Sequence, residues 1–171
     1  LADKYNAQWL CQIQGAKSKN DEKIICVSEK ESKQGKYEII EKDAKLAPVP
    51  DPINRQCLYI AGPSGSGKSH YASCYIENYK KLFPNNEVYV FCRDTQDPVI
   101  DRLGVNRVVI NEEIYTDPID ITQGMDDCLI LFDDCDTIGD KKIKAAVDHL
   151  KNDIMEVGRK RNIYIIITSH L

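Results

Sequence analysis

Cys57-Leu-Tyr-Ile-Ala-Gly-Pro-Ser-Gly-Ser-Gly-Lys-Ser69 is the stretch whose reading decides the fold. It joins a short apolar run, Cys57–Ala61, to a glycine-rich turn, and a helical pattern starts where the turn ends. The turn Gly62-Pro63-Ser64-Gly65-Ser66-Gly67-Lys68-Ser69 fits G-x-x-x-x-G-K-[ST] at every specified position. Glycines let a backbone curl until its N–H groups converge on an anion. A helix beginning near Gly67 adds the positive end of its dipole. The Lys68 ammonium is then expected to reach the outer phosphates of a nucleotide, and the Ser69 hydroxyl a Mg²⁺ ion. The expected phosphate-binding set runs from Gly62 through His70. The His70 ring itself is expected to face solvent or pack on the sheet, without a catalytic role.

Downstream, the pattern alternates between strands and helices. Residues 67–82 read as a helix, with Tyr71, Tyr75, Tyr79 and Leu82 at spacings of four, four and three, and Pro84 stops it. Strands are expected at Glu87–Cys92, Arg107–Ile110, Cys128–Phe132 and Ile163–Thr168. An amphipathic helix is expected over 141–157 through Ile143, Val147, Leu150, Ile154 and Val157, ended by Gly158. Apolar strands without polar alternation, separated by helices, imply an α/β fold with a mostly parallel sheet covered on both faces. Upstream, Ala7–Gln14, Lys23–Ser28 and Lys36–Glu41 read as short strands of a small antiparallel sheet. Ala47-Pro-Val-Pro-Asp-Pro52 reads as a stiff connector. The expected organisation is a small β-rich segment, 1–50, before a core, 51–171.

Three further elements carry chemistry. Leu129-Ile-Leu-Phe-Asp133-Asp134 is an apolar strand ending in two carboxylates, the Walker B pattern. Asp133 would hold Mg²⁺ and Asp134 would orient or deprotonate an attacking water; a helix cap and turn is the plainer reading of such a pair. Asp126, Asp127 and Asp136 lie outside the strand end and are expected to be solvated. Ile163–Thr168 leads into Ser169-His170, where a polar residue at the end of a central strand would face the nucleotide. Ser169 or His170 is the stronger candidate, Thr168 the weaker; Ser169 could equally begin a loop. Gly158-Arg-Lys-Arg161 could supply a finger to a neighbouring subunit, Arg159 before Arg161, or could cap a helix C-terminus.

The 171 residues are 42% hydrophobic and 29% charged, a globular composition. No apolar run approaches the ~18 residues a bilayer span needs. The first residues lack an initiator Met and a signal-peptide core, and the chain reads as a piece of something longer. Net charge is −4, so the whole chain does not advertise nucleic-acid binding. Residues 141–171 nonetheless hold seven basic and three acidic groups, either a solvated helix face or a polyanion contact. Seven cysteines form no C-x-x-C and complete no zinc pattern; they read as buried free thiols.

Together, GPSGSGKS, LILFDD and GRKRNIYIIITSHL resemble the FtsK–HerA branch of P-loop ATPases that includes the genome-packaging ATPases of large double-stranded DNA viruses. The matching residues include Gly158, Arg159, Asn162, Ile163, Ser169 and His170. The resemblance covers about residues 57–171. It implies a P-loop NTPase sandwich that hydrolyses ATP with Mg²⁺ to drive double-stranded DNA into a capsid. It further implies a homo-oligomeric ring, capsid or portal-vertex partners, a host-cytoplasmic, viral-factory or virion location, and no membrane. On that resemblance Lys68, Ser69 and Asp133 bind nucleotide and Mg²⁺, Asp134 is the base, and Ser169 and His170 sense the nucleotide. The family's usual base is Glu and its sensor Gln, so Asp134 and His170 depart from the pattern. The residues do not separate ATP from GTP. Other readings remain open at this stage: another ring-forming motor of AAA+ or helicase type, a small-molecule kinase, or a nucleotide-binding assembly module with little hydrolysis.

Overall fold

The inner strands of the larger sheet are apolar on both sides because each feeds two cores. The computed structural model describes residues 8–14, 23–27 and 45–170. Its larger sheet is built from β4 (Cys57–Ala61), β5 (Val88–Cys92), β6 (Asn106–Val109), β7 (Leu129–Phe132) and β8 (Tyr164–Ser169). Their order is β4-β8-β7-β5-β6, and all the pairings are parallel. Successive residues of a strand point to opposite faces. Leu129 and Leu131 of β7 join Tyr164 and Ile166 of β8 in one core, against helix α1 (Lys68–Leu82). Ile130 and Phe132 join Ile163 and Ile165 in the other, against helix α4 (Lys141–Val157). The expected α/β architecture and its two-faced parallel sheet are therefore present.

Helix α1 turns a different face inward than its tyrosine spacing predicted. Tyr75 and Tyr79 are buried with Ala72 and Ile76, whereas Tyr71 and Leu82 are about 40% and 45% exposed. The small Ala72 side chain lets the helix approach the sheet. Tyr75 donates to Gln56 Oε1 at 2.6 Å, so its buried hydroxyl is satisfied. Helix α4 buries Val147, Leu150 and Ile154 as expected. Asp140 caps it, accepting from the Lys142 and Ile143 N–H groups at 2.8 and 3.0 Å. Two helices of one turn each, α2 (Pro98–Asp101) and α3 (Glu113–Thr116), escaped the sequence reading because four residues carry no periodicity.

The smaller sheet has the order β2-β1-β3, with β1 (Gln8–Gln14), β2 (Ile24–Val27) and β3 (Lys45–Pro48). Both pairings are antiparallel. The proline-rich connector is thus partly a strand: Cys11 pairs with Pro48 and Gln12 with Ala47. An edge strand tolerates proline, since only one side of its backbone is paired. The expected strand Lys36–Glu41 lies outside the described residues. The chain divides into two compact units between Asn54 and Arg55.

Of the cysteines, expected to be buried, Cys92, Cys128 and Cys135 are, whereas Cys11 and Cys74 are half-buried and Cys26 and Cys57 are exposed, the last on edge strand β4. Among the described residues no helix is long and apolar enough to cross a membrane.

Ile154 is fully buried and Met155 is 44% exposed on the same helix. Ile154→Ala is expected to lower unfolding free energy by about 2–5 kcal/mol. Met155→Ala should stay within about 0.5 kcal/mol of the parent. Urea unfolding followed by circular dichroism measures both.

Candidate functional site

Parallel pairing brings three strand tips to one end of the sheet. Strand β8 lies between β4 and β7, with Ala61 opposite Ser169 and Phe132 opposite Ile167. The residues that follow β4 and β7, together with the last residues of β8, therefore form one polar edge. Gly62 N–H donates to Ser169 O at 3.2 Å, tying the loop to the β8 tip.

The Gly62–Ser69 loop keeps its donors open. Gly65 and Gly67 have φ of +76° and +93°, and a Cβ at either would meet open space. The conformation, rather than crowding, calls for glycine there. Helix α1 starts at Lys68 with no side-chain cap. Among the described residues no acceptor is found for the N–H groups of Gly65, Gly67, Lys68 or Ser69. Pro63, Ser64 and Ser66 complete the turn, and Ser66 N–H closes it onto Pro63 O at 3.2 Å. The Lys68 side chain is only 7% exposed. Its Nζ rests on Gly62 O at 3.1 Å and lies 3.7 Å from Asp134 Oδ1. A second carbonyl, Pro63 O at 3.5 Å, completes three contacts, of which two are long, so a closer oxygen ligand could displace them.

Thr168 is the hub of the carboxylates. Its buried Oγ1 lies 2.7 Å from Asp133 Oδ1 and 3.3 Å from Asp134 Oδ1, and it accepts from Asp134 N–H at 2.8 Å. The sequence reading ranked Thr168 below Ser169 and His170. No local signal singled it out: Thr168 stands level with Asp133, one step past the Phe132–Ile167 pair, because β8 pairs with β7. Asp134 itself adopts a left-handed conformation, φ 47° and ψ 37°, which Asp tolerates better than most residues. That turn sends its carboxylate toward Lys68 and away from the strand. Burial pushes the Asp133 carboxyl above its ordinary range; the Thr168 hydrogen bond opposes the shift and the Asp134 charge adds to it.

His170 Nε2 lies 2.9 Å from Asp134 Oδ2. Asp136, expected to be solvated, is exposed and in addition accepts from Ser169 Oγ at 2.8 Å and His170 N–H at 3.0 Å, both on Oδ2. It stands in the single 3₁₀ turn Cys135–Thr137 that follows β7, a turn that three residues of sequence do not announce. Asp126 and Asp127 are likewise engaged. Arg161 Nη1 reaches both Asp126 oxygens at 2.9 Å, and Asn162 donates to Asp127 at 2.8 Å. Those contacts sit at the opposite edge of the sheet, before β8 begins.

Arg159 also precedes β8, is exposed, and so lies about 20 Å from the polar edge, the length of a six-residue strand. The fold does not bring it together with Lys68, Asp134, Ser169 and His170 within one chain. His70 is exposed, its ring against Cys74 Sγ at 3.8 Å; only its backbone belongs to the loop. Of the seven basic residues after 140, Lys144 and Lys151 contact Asp148 at 3.4 and 3.7 Å, and Arg161 pairs with Asp126.

A polyphosphate suits these donors, since unpaired N–H groups and an ammonium converge where a helix begins. The Ser69 hydroxyl has no protein partner among the described residues. Among those residues no cluster of three or more His, Cys, Asp or Glu side chains is arranged to hold a metal. A cation here would need oxygens from water and phosphate, as Mg²⁺ usually takes.

The fold and this edge define an α/β protein with a five-stranded parallel sheet and a loop-and-carboxylate site at its C-terminal edge. The chain is 44% identical over 160 residues to a Sputnik virophage protein described as "Uncharacterized protein V3". That match covers 94% of this chain and 63% of the relative, so the chain spans less than two thirds of the relative's length. No family model matches the chain.

Two outcomes follow from the cluster. Thr168→Val leaves the buried end of β8 without its hydroxyl and Asp134 N–H without its acceptor. It is expected to cost about 1–3 kcal/mol in denaturant unfolding. Because the Asp133 pKa is raised in the fold, its ionisation opposes folding. The resulting loss of stability grows as pH rises from about 3.8, the ordinary value, through the raised folded value. Asp133→Asn should therefore raise the metal-free melting temperature at pH 7, and the gain should vanish below pH ~3.8. An Asn variant no more stable than the parent at pH 7 would contradict this.

Proposed function

We propose that this chain is a P-loop nucleoside triphosphatase of the FtsK–HerA type. In this reading it hydrolyses ATP with Mg²⁺ as part of a ring-forming motor on double-stranded DNA, with packaging of a viral genome into a capsid as its role. The observation that carries the reading is the meeting of loop and carboxylates: Lys68 Nζ stands 3.7 Å from Asp134 Oδ1, beside N–H groups that have no acceptor among the described residues. The central place of β8, between β4 and β7, also favours it, because it sets Ser169 and His170 between the loop and the carboxylates.

In this reading the loop amides and Lys68 hold the β- and γ-phosphates. Ser69 and Asp133 hold the Mg²⁺, which neutralises phosphate charge. Asp134, steadied by Lys68 and His170, takes the proton of the attacking water. Because Arg159 stands at the far edge of its own sheet, any finger role requires a neighbouring subunit. Hydrolysis should accordingly be weak in dilute protein and rise with oligomerisation and duplex DNA. A module that binds nucleotide without turning it over is the second reading, and the carboxylate present at Asp134 counts against it.

Phosphate release and binding of a fluorescent ATP analogue, followed with rising protein concentration and with duplex DNA, decide between them. Lys68→Ala should weaken binding and reduce turnover at least about a hundredfold, the scale of lost transition-state charge stabilisation. Unchanged binding and turnover in that variant would remove the site assignment. Tight binding with no release of phosphate under any condition would leave the module reading.

A further inference from the structure

We infer that Asp136 is a positioning residue, which sets His170 on Asp134 and thereby governs turnover rather than nucleotide affinity. The inference rests on the triphosphatase reading above and goes beyond it, since Asp136 belongs to none of the motifs that suggested that reading.

The geometry is specific. One carboxylate oxygen, Asp136 Oδ2, accepts both Ser169 Oγ (2.8 Å) and His170 N–H (3.0 Å). The same peptide is held from the other side, where Gly62 N–H donates to Ser169 O at 3.2 Å. Ser169 and His170 are thereby clamped between the loop after β4 and the turn after β7. From that backbone His170 delivers Nε2 to Asp134 Oδ2 at 2.9 Å. Asp134 is thus gripped at both oxygens, by Lys68 at Oδ1 and by His170 at Oδ2.

The turn carrying Asp136 is itself anchored, with Thr137 Oγ1 donating to Asp134 O at 3.0 Å. Asp136 also has the hydrogen bonds a fixed acceptor needs: the Ser169 hydroxyl and the His170 amide together hold its carboxyl below the ordinary range, against a burial cost. Loss of the clamp would free the His170 side chain, while strand pairing, the Gly62–Ser169 bond and the Thr168 hydroxyl keep the Gly62–Ser69 loop and Asp133 in place. Affinity for the phosphates would survive, and the orientation of Asp134 would not. A misplacement of about 1 Å in such a group costs up to about a hundredfold in rate.

The test is a mutant cycle on the full chain, with MgATP and duplex DNA, reading kcat, KM and binding of a fluorescent ATP analogue. Asp136→Ala should lower kcat about ten- to a hundredfold with affinity within about twofold. Asp136→Asn should recover most of the rate, because an amide oxygen in the Oδ2 place accepts both bonds without a charge. In a His170→Ala background, Asp136→Ala should cost nothing further, since both changes free the same carboxylate. Should Asp136→Ala be unfolded by circular dichroism, Asp136→Ser replaces it with the same expectations, as its oxygen falls short of the β8 tip.

Full turnover in the folded Ala or Ser variant, or additive losses in the cycle, would overturn the inference and leave the triphosphatase reading standing. Equal loss of affinity and kcat would also overturn it, marking Asp136 as merely structural. A parent chain without hydrolysis under any condition would remove the triphosphatase reading, and this inference with it.

Discussion

The Thr168 hydroxyl, lying between two carboxylates and accepting the N–H of one of them, holds the ends of β7 and β8 level. Two adjacent acids at a strand end repel each other and lose hydration. They persist side by side here because a buried hydroxyl bridges them and because Asp134 turns into a left-handed conformation. That turn separates the roles of the two. Asp133 stays buried on the strand line; Asp134 swings out to Lys68 and His170.

The same constraint reaches the loop. Since β8 lies between β4 and β7, whatever fixes the β8 tip fixes both neighbours. Ser169 accepts from Gly62 with its carbonyl and donates to Asp136 with its hydroxyl. Loop, β8 tip and carboxylate turn therefore form one hydrogen-bonded edge. This edge is built at a cost to stability: a raised Asp133 carboxyl, a positive φ at Asp134, and amide donors without acceptors. Groups left in that condition are what a binding or catalytic site requires, and the apolar layers on both faces of the sheet offset the cost.

Much of this was legible in the residues alone. The Gly62–Ser69 spacing, the apolar runs and the heptad-like spacing on α4 rest on local chemistry: glycine's access to positive φ, two-sided burial of parallel strands, and the 3.6-residue turn. The pair Asp133–Asp134 was visible for the same reason, at the end of such a run. Less legible was which face of α1 would be buried, because tyrosine is apolar enough to sit at either side and the small Ala72 decided the approach.

What the sequence by itself determined was the alternation of elements and the chemical types placed at strand ends, since both are properties of short stretches of chain. Only the tertiary structure decided which ends meet. Sheet order put β8 between β4 and β7, so Thr168 became the hub, the exposed Asp136 also a hydrogen-bonding clamp, and Arg159 a resident of the far edge. Those outcomes depend on contacts between residues thirty or more positions apart, and no local pattern encodes which strand will lie beside which.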